Sequence, residues 1–166
     1  MKLAVIGDIH GRDSWKKVKD WDELVFIGDY FDSFNVPAID QIHNFGEILE
    51  LKRSSKKPVT LLIGNHDAHY LGCSKCSGFQ YDKKDAITKT LLDALEDLQM
   101  SYYQGNVLFT HAGVGETWLK LRGYDGPLEP KEISEFTNNL WLKNKEGFSF
   151  RGQDPYGDDI TQTPLW

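Results

Sequence analysis

Val59-Thr60-Leu61-Leu62-Ile63-Gly64-Asn65-His66-Asp67 is an apolar run that breaks at Gly64 and then delivers an amide, an imidazole and a carboxylate in succession. Three other runs share this design. Lys2 to Ile6 ends in Gly7-Asp8-Ile9-His10-Gly11, Leu24 to Ile27 ends in Gly28-Asp29-Tyr30-Phe31-Asp32, and Val107 to Phe109 ends in Thr110-His111-Ala112-Gly113. Continuous apolar runs of this length suit strands covered on both faces by other layers. Ligands of such sheets collect just beyond the carboxyl ends of the strands, so four separate pieces of chain aim their polar residues at one spot.

The intervening segments read as helices, which makes the chain α/β. Asp13-Ser14 caps a short helix running through Val18. After the loop Ser33 to Pro37, Ile39, Ile42, Phe45 and Leu49 recur at helical spacing until the chain approaches Pro58. Ala68 to Tyr81 lacks periodicity and reads as a long loop beside the site, a candidate lid with Tyr70 and Phe79 as its apolar contacts and His69 as a lid or substrate contact. From Asp82 a helix carries Ile87, Leu91, Leu95 and Leu98 on one face. A Gln104-Gly105-Asn106 turn then makes a hairpin ending in the fourth run. Helices follow near Glu116 to Leu121 and Lys131 to Leu142, before an irregular, glycine-rich stretch from Gly147 to Trp166.

With 166 residues, 40% of them hydrophobic, the chain is enough for one domain with a real core, spanning 1–166, and marginal for two. A formal charge of -6 gives no basic footprint for nucleic acid or an anionic membrane, so nucleic acid is a disfavoured partner. Met1-Lys2 leads directly into a short strand, and no apolar run approaches the length of a bilayer span, so a cytoplasmic location without membrane association is the expectation. Cys73 and Cys76 are the two cysteines and form one CxxC. The favoured reading is a loop with free thiols, with a disulfide or an intersubunit metal as alternatives, because a structural zinc site needs four ligands and only His69 lies nearby in sequence.

Residue types point to metal at the strand ends. Asp8 and His10, at i and i+2, lean the same way if the backbone there is extended. Asp29 offers a carboxylate whose two oxygens can bridge two cations, Asn65 a neutral amide oxygen, and His111 an imidazole. Mixed oxygen and nitrogen donors without thiolate favour manganese, with iron or zinc as alternatives. Two such ions roughly 3.5–4 Å apart form the clamp used in phosphoryl ester hydrolysis, activating a water and neutralising phosphate oxygens.

The four blocks GDIHG (7–11), GDYFD (28–32), GNHD (64–67) and THAG (110–113), in that order, resemble the signature blocks of the calcineurin-like metallophosphoesterases. The resemblance implies an α/β/β/α sandwich, two packed mixed sheets flanked by helices, with a two-metal site at one edge. By position, Asp8, His10 and Asp29 would hold the first metal, and Asp29, Asn65 and His111 the second. His66 would be the general acid that protonates the leaving oxygen, and Asp32 its orienting partner. The implied function is metal-dependent hydrolysis of phosphate esters with a metal-activated water, on a monoester or small phosphorylated compound. Alternatives are a catalytically weak or inactive metal-binding interaction module, and a phosphodiesterase or nuclease.

The chain departs from that family's pattern in two places. Where protein serine/threonine phosphatases and diadenosine tetraphosphatases of the superfamily follow the second block with Arg-Gly, this chain has Ser33-Phe34. Arg12 and Arg151 are therefore the candidate substrate-binding arginines. The family's closing Gly-His block has no counterpart, since no histidine follows His111. The domain is thus expected to be C-terminally incomplete, by truncation or as part of a split protein, and to hold its two metals unequally.

Overall fold

The computed structural model describes residues 1–149 and 163–166. Four strands, β1 (Leu3–Ile6), β2 (Glu23–Phe26), β3 (Val59–Leu62) and β4 (Leu98–Gln99), form a parallel sheet in the order β1-β2-β3-β4. A second sheet is the antiparallel hairpin of β5 (Tyr102–Gln104) and β6 (Val107–Phe109). Helices α1 (Ala38–Ser54), α2 (Asn65–Ala68), α3 (Lys84–Asp93), α4 (Glu116–Leu121) and α5 (Pro130–Lys143) flank the sheets. Contacts join α1 to β3, and α5 to both hairpin strands. The α/β class with two sheets flanked by helices agrees with the sequence reading. Strand directions differ between the sheets, one being parallel and the other antiparallel.

Register explains why three of the motifs meet. Ile6 pairs with Phe26, and Phe26 with Leu61, so β1, β2 and β3 run out side by side. Asp8, Asp29 and Asn65 lie two to four residues beyond these partners, at one edge of the sheet. The fourth motif arrives differently from the expectation of a shared sheet, because Val107 to Phe109 belongs to the hairpin. Glu23 tethers that hairpin to β2 by accepting hydrogen bonds from the Tyr102 hydroxyl and from Gln104 Nε2.

Three local expectations are corrected. Leu98 is not helical: α3 stops at Asp93, a 3-10 turn covers Leu95–Asp97, and Leu98 pairs with Leu61 as β4. A longer helix would have left the backbone groups of β3 unpaired on that side, and β4 satisfies them. In α1 the buried stripe is Ala38, Gln41, Phe45, Ile48 and Leu49, with Ile39 69% exposed, one position away from the anticipated face. Covering on both faces holds for β2 and β3, whose residues are all buried, whereas β1 is an edge strand with Val5 exposed. Among the described residues no helix is long and apolar enough to cross a membrane.

Candidate metal centre

The second and third motifs pack backbone against backbone, and their glycines are what allow it. A Cβ on Gly28, where φ is +101°, would lie 2.2 Å from Gly64 N, and a Cβ on Gly64 would lie 2.1 Å from Asp29 Oδ1. Only hydrogen fits in either place. Asp67, fully buried, ties the two turns together: its carboxylate accepts N–H bonds from Asp29, Tyr30 and Gly64, each at 2.9 Å. Burial and the neighbouring Asp29 carboxylate raise the Asp67 pKa, while these three N–H groups oppose the rise. The sequence reading quoted Asp67 but assigned it no role. Its signal was available: an acid five residues past a buried strand requires donors, and nearby turn backbones supply them. Replacing Asp67 with Ala strands three buried donors and is expected to lower unfolding stability by about 3 kcal/mol or more, read by denaturant titration.

Asp8, His10, Asp29 and Asp32 all have positive φ, between 42° and 64°. The extended backbone assumed for Asp8 and His10 is therefore replaced by left-handed turns, which turn the chain sharply at the strand end. Such conformations cost of order 1–3 kcal/mol each in a residue with a Cβ, and they cluster where function holds them.

Asp29 is the hub. It is 4% exposed, and its Oδ1 accepts the His66 backbone N–H at 3.0 Å. Its Oδ2 faces His10 Nε2 at 3.6 Å and His111 Nε2 at 3.5 Å. Both rings are pinned from behind, His10 Nδ1 on the Phe31 carbonyl and His111 Nδ1 on the Ile27 carbonyl at 2.7 Å. A carbonyl only accepts, so each Nδ1 carries the proton, and in a neutral ring Nε2 presents its lone pair to the carboxylate. Three acceptor atoms thus converge beyond hydrogen-bond distance, an arrangement that a divalent cation satisfies. Donor atoms of Asp8, Asp29 and His111 lie within 4.8 Å of one another, as do those of His10, Asp29 and His66. Asn65 opens α2 directly after Gly64, half-buried, next to His66.

Beside the hub lies a second cluster. His66 Nδ1 is 3.0 Å from Asp32 Oδ2, as the pairing of these two residues anticipates. The Tyr70 hydroxyl donates to Asp32 Oδ1 at 2.5 Å and accepts the Gln80 N–H at 2.9 Å. His69 Nε2 sits 2.7 Å from the same Asp32 Oδ2, at ion-pair distance but without hydrogen-bond alignment. Burial disfavours a charged His66 ring, but hydrogen bonds to Asp32 and Cys76, with the Asp29 charge nearby, outweigh it and push its pKa up to about 10. For Cys76, burial raises the thiol pKa, and the hydrogen bonds to His66 and His69 reverse this to a net lowering.

The lid reading fails for Ala68 to Cys73. Tyr70 and His69 are each 5% exposed, Leu71 and Cys73 are also buried, and Tyr70 stacks on Phe79 with ring centroids 4.7 Å apart. The segment from Ala68 to Cys73 is core that props Asp32, so neither Tyr70 nor His69 is a surface contact for substrate. Tyr70→Ala, which on a lid would raise KM with little change in stability, is instead expected to lower stability by about 3–5 kcal/mol in denaturant unfolding. Neither cysteine is in a disulfide.

Arg12 reaches the site: its Nη2 donates to the Asp8 carbonyl at 2.7 Å, and it lines a pocket of about 140 Å³ with His10, Asp32, His66 and Ser77. Arg151 lies outside the described residues.

Similar proteins agree with this architecture. The structure of a cold-active protein-tyrosine phosphatase of a psychrophile, Shewanella sp., aligns with a TM-score of 0.55 at 18% identity, over 87% of this chain and 49% of that one. A second structure, of a cold-active protein tyrosine phosphatase at 1.1 Å, aligns with a TM-score of 0.53 at 19% identity, over 87% and 48%. At such identity the likeness is one of fold, and the chain spans about half the length of both. No curated protein matches. Residues 1–163 match the family of calcineurin-like phosphoesterases, and the chain belongs to that family of metal-dependent proteins.

Proposed function

We propose that this chain hydrolyses phosphate esters, with monoesters or small phosphorylated compounds as substrates, using two divalent ions of which manganese is the first choice. The observation that carries the proposal is the convergence of His10 Nε2 and His111 Nε2 on Asp29 Oδ2, three acceptors with both rings pinned from behind by backbone carbonyls. Asp8, His10 and Asp29 would hold one ion, and Asp29, Asn65 and His111 the other. When bound, the ions supply Lewis acidity that acidifies water and offsets phosphate charge, which is how a chain of net charge -6 accommodates an anion.

The remaining work belongs to side chains. His66 donates a proton to the leaving oxygen, and Asp32 holds the ring through Nδ1, leaving Nε2 for the substrate. Tyr70 fixes Asp32, and Asp67 keeps the two turns in register. Arg12 offers its guanidinium to a phosphate oxygen in the pocket it lines with His10 and His66. Arg151 remains the other proposed phosphate contact.

The reading is tested by comparing p-nitrophenyl phosphate with its bis ester, each with and without added manganese. Manganese-dependent turnover that favours the monoester is expected. Preference for the diester would point to a phosphodiesterase, and no turnover of either in a chain that binds metal would point to an inactive binding module.

A further inference from the structure

The CxxC loop returns to the site in a way its spacing does not reveal. Cys73 is buried and its thiol donates to the Lys145 carbonyl at 3.2 Å, so it takes no part. Cys76 is only half-buried, and its Sγ lies 3.0 Å from His69 Nδ1. The other nitrogen of His69 is buried, lacks an aligned hydrogen bond, and sits 2.7 Å from Asp32 Oδ2. His66 Nδ1 meets that same oxygen at 3.0 Å. One donor atom from each of Asp32, His66, His69 and Cys76 lies within 4.8 Å of the other three.

This set of one sulfur, two nitrogens and one oxygen differs in kind from the thiolate-free set around Asp29. Hard ions suit the latter, whereas a mixed sulfur and nitrogen set with four members suits a borderline-soft tetrahedral ion. Bonds of about 2.0–2.3 Å place tetrahedral donors ~3.3–3.8 Å apart, so donors that now lie within 4.8 Å of one another, one from each residue, need to shift by roughly 1 Å to enclose an ion. Tyr70 already occupies Asp32 Oδ1, leaving Oδ2 for a ligand role. The pocket lined by Asp32, His66 and Ser77 provides an entry path.

We propose that Cys76, His69, His66 and Asp32 form a second, zinc-type site, adjoining the Asp29 cluster through His66, whose occupation switches the chain off by capturing His66. Binding displaces to solvent the Cys76 thiol proton and the proton on the coordinating nitrogen of each ring that carries one, so His66 is left a neutral, metal-bound imidazole and not the imidazolium acid that protonates a leaving group. The inhibitory consequence rests on the proposed hydrolase reading, but the site itself does not.

The test uses cobalt(II) and zinc on the manganese-loaded chain. Cobalt is expected to produce a thiolate-to-cobalt charge-transfer band in the near ultraviolet that saturates at one equivalent and vanishes in Cys76→Ser. The ligands around Asp29 include no sulfur, so they contribute nothing to this band. His69→Gln is a second variant expected to weaken the band, and circular dichroism confirms that each variant is folded. With p-nitrophenyl phosphate, inhibition by zinc is expected to need at least tenfold more metal in Cys76→Ser than in the parent chain. No band, a band that survives Cys76→Ser, or equal zinc sensitivity of the two proteins overturns the proposal. A band in a chain without turnover supports the site and counts against the hydrolase reading instead.

Discussion

Asp29→Asn is expected to abolish measurable phosphatase activity, a loss of about 10³-fold or more, and to cut the bound metal. The substitution is nearly isosteric. An amide oxygen can still accept the His66 backbone N–H, and the Asp29 backbone N–H can still donate to Asp67, so the two turns keep their lock. What disappears is the negative charge on the atom that faces both imidazoles, His10 at 3.6 Å and His111 at 3.5 Å. Metal-borne charge stabilisation is worth several kcal/mol, and each 1.36 kcal/mol is a factor of ten in rate. Elemental analysis and turnover are the measurements, and a variant that keeps two ions and normal turnover would show that Asp29 does not bridge.

His66→Ala is expected to lower turnover by roughly 10²–10⁴, the usual contribution of a general acid, while leaving manganese content nearly unchanged. The side chain held by Asp32 is removed, but the backbone N–H that donates to Asp29 remains, so the hub is preserved. Leaving groups differ in their need for the proton. Loss should be smaller for p-nitrophenyl phosphate, whose phenolate departs readily, than for an alkyl phosphate. Equal losses for the two substrates would mean that His66 acts by position or charge and not by proton transfer.

The proposed metal ligands were legible because each follows its own strand within a few residues. Asp8, Asp29 and Asn65 are delivered by local strand-to-turn breaks after apolar runs, and parallel pairing of those runs brings the breaks together without further information. His111 was legible for the same local reason, although its strand lies in the other sheet. The pairing of His66 with Asp32 came from family position and coincides with a 3.0 Å contact. Leu98 was misread because its spacing continues the pattern of Ile87 and Leu91, and periodicity carries no term for a neighbouring strand that needs a partner.

What escaped the sequence lies between Ala68 and Tyr81. Residues there show no repeat of 2 or 3.6, which is the pattern of a surface loop. Yet Tyr70 is buried with its hydroxyl on Asp32, 38 positions earlier in the chain, and His69 is buried with Nε2 at ion-pair distance from the same carboxylate. The lone CxxC suffered likewise, as its two histidine neighbours and an aspartate reach Cys76 from two separate segments.

By itself the sequence determined the α/β class, the family, the strand ends and the donors placed on them, since all of these follow from hydrophobic period and from residues adjacent in the chain. Tertiary structure alone decided that Asp67 locks two turns, that Tyr70 and His69 prop Asp32, that β4 completes the sheet, and that Cys76 joins the histidines. Each of these is a polar or hydrogen-bonding demand met by a group that hydrophobic period does not mark, and only the folded chain brings the two together.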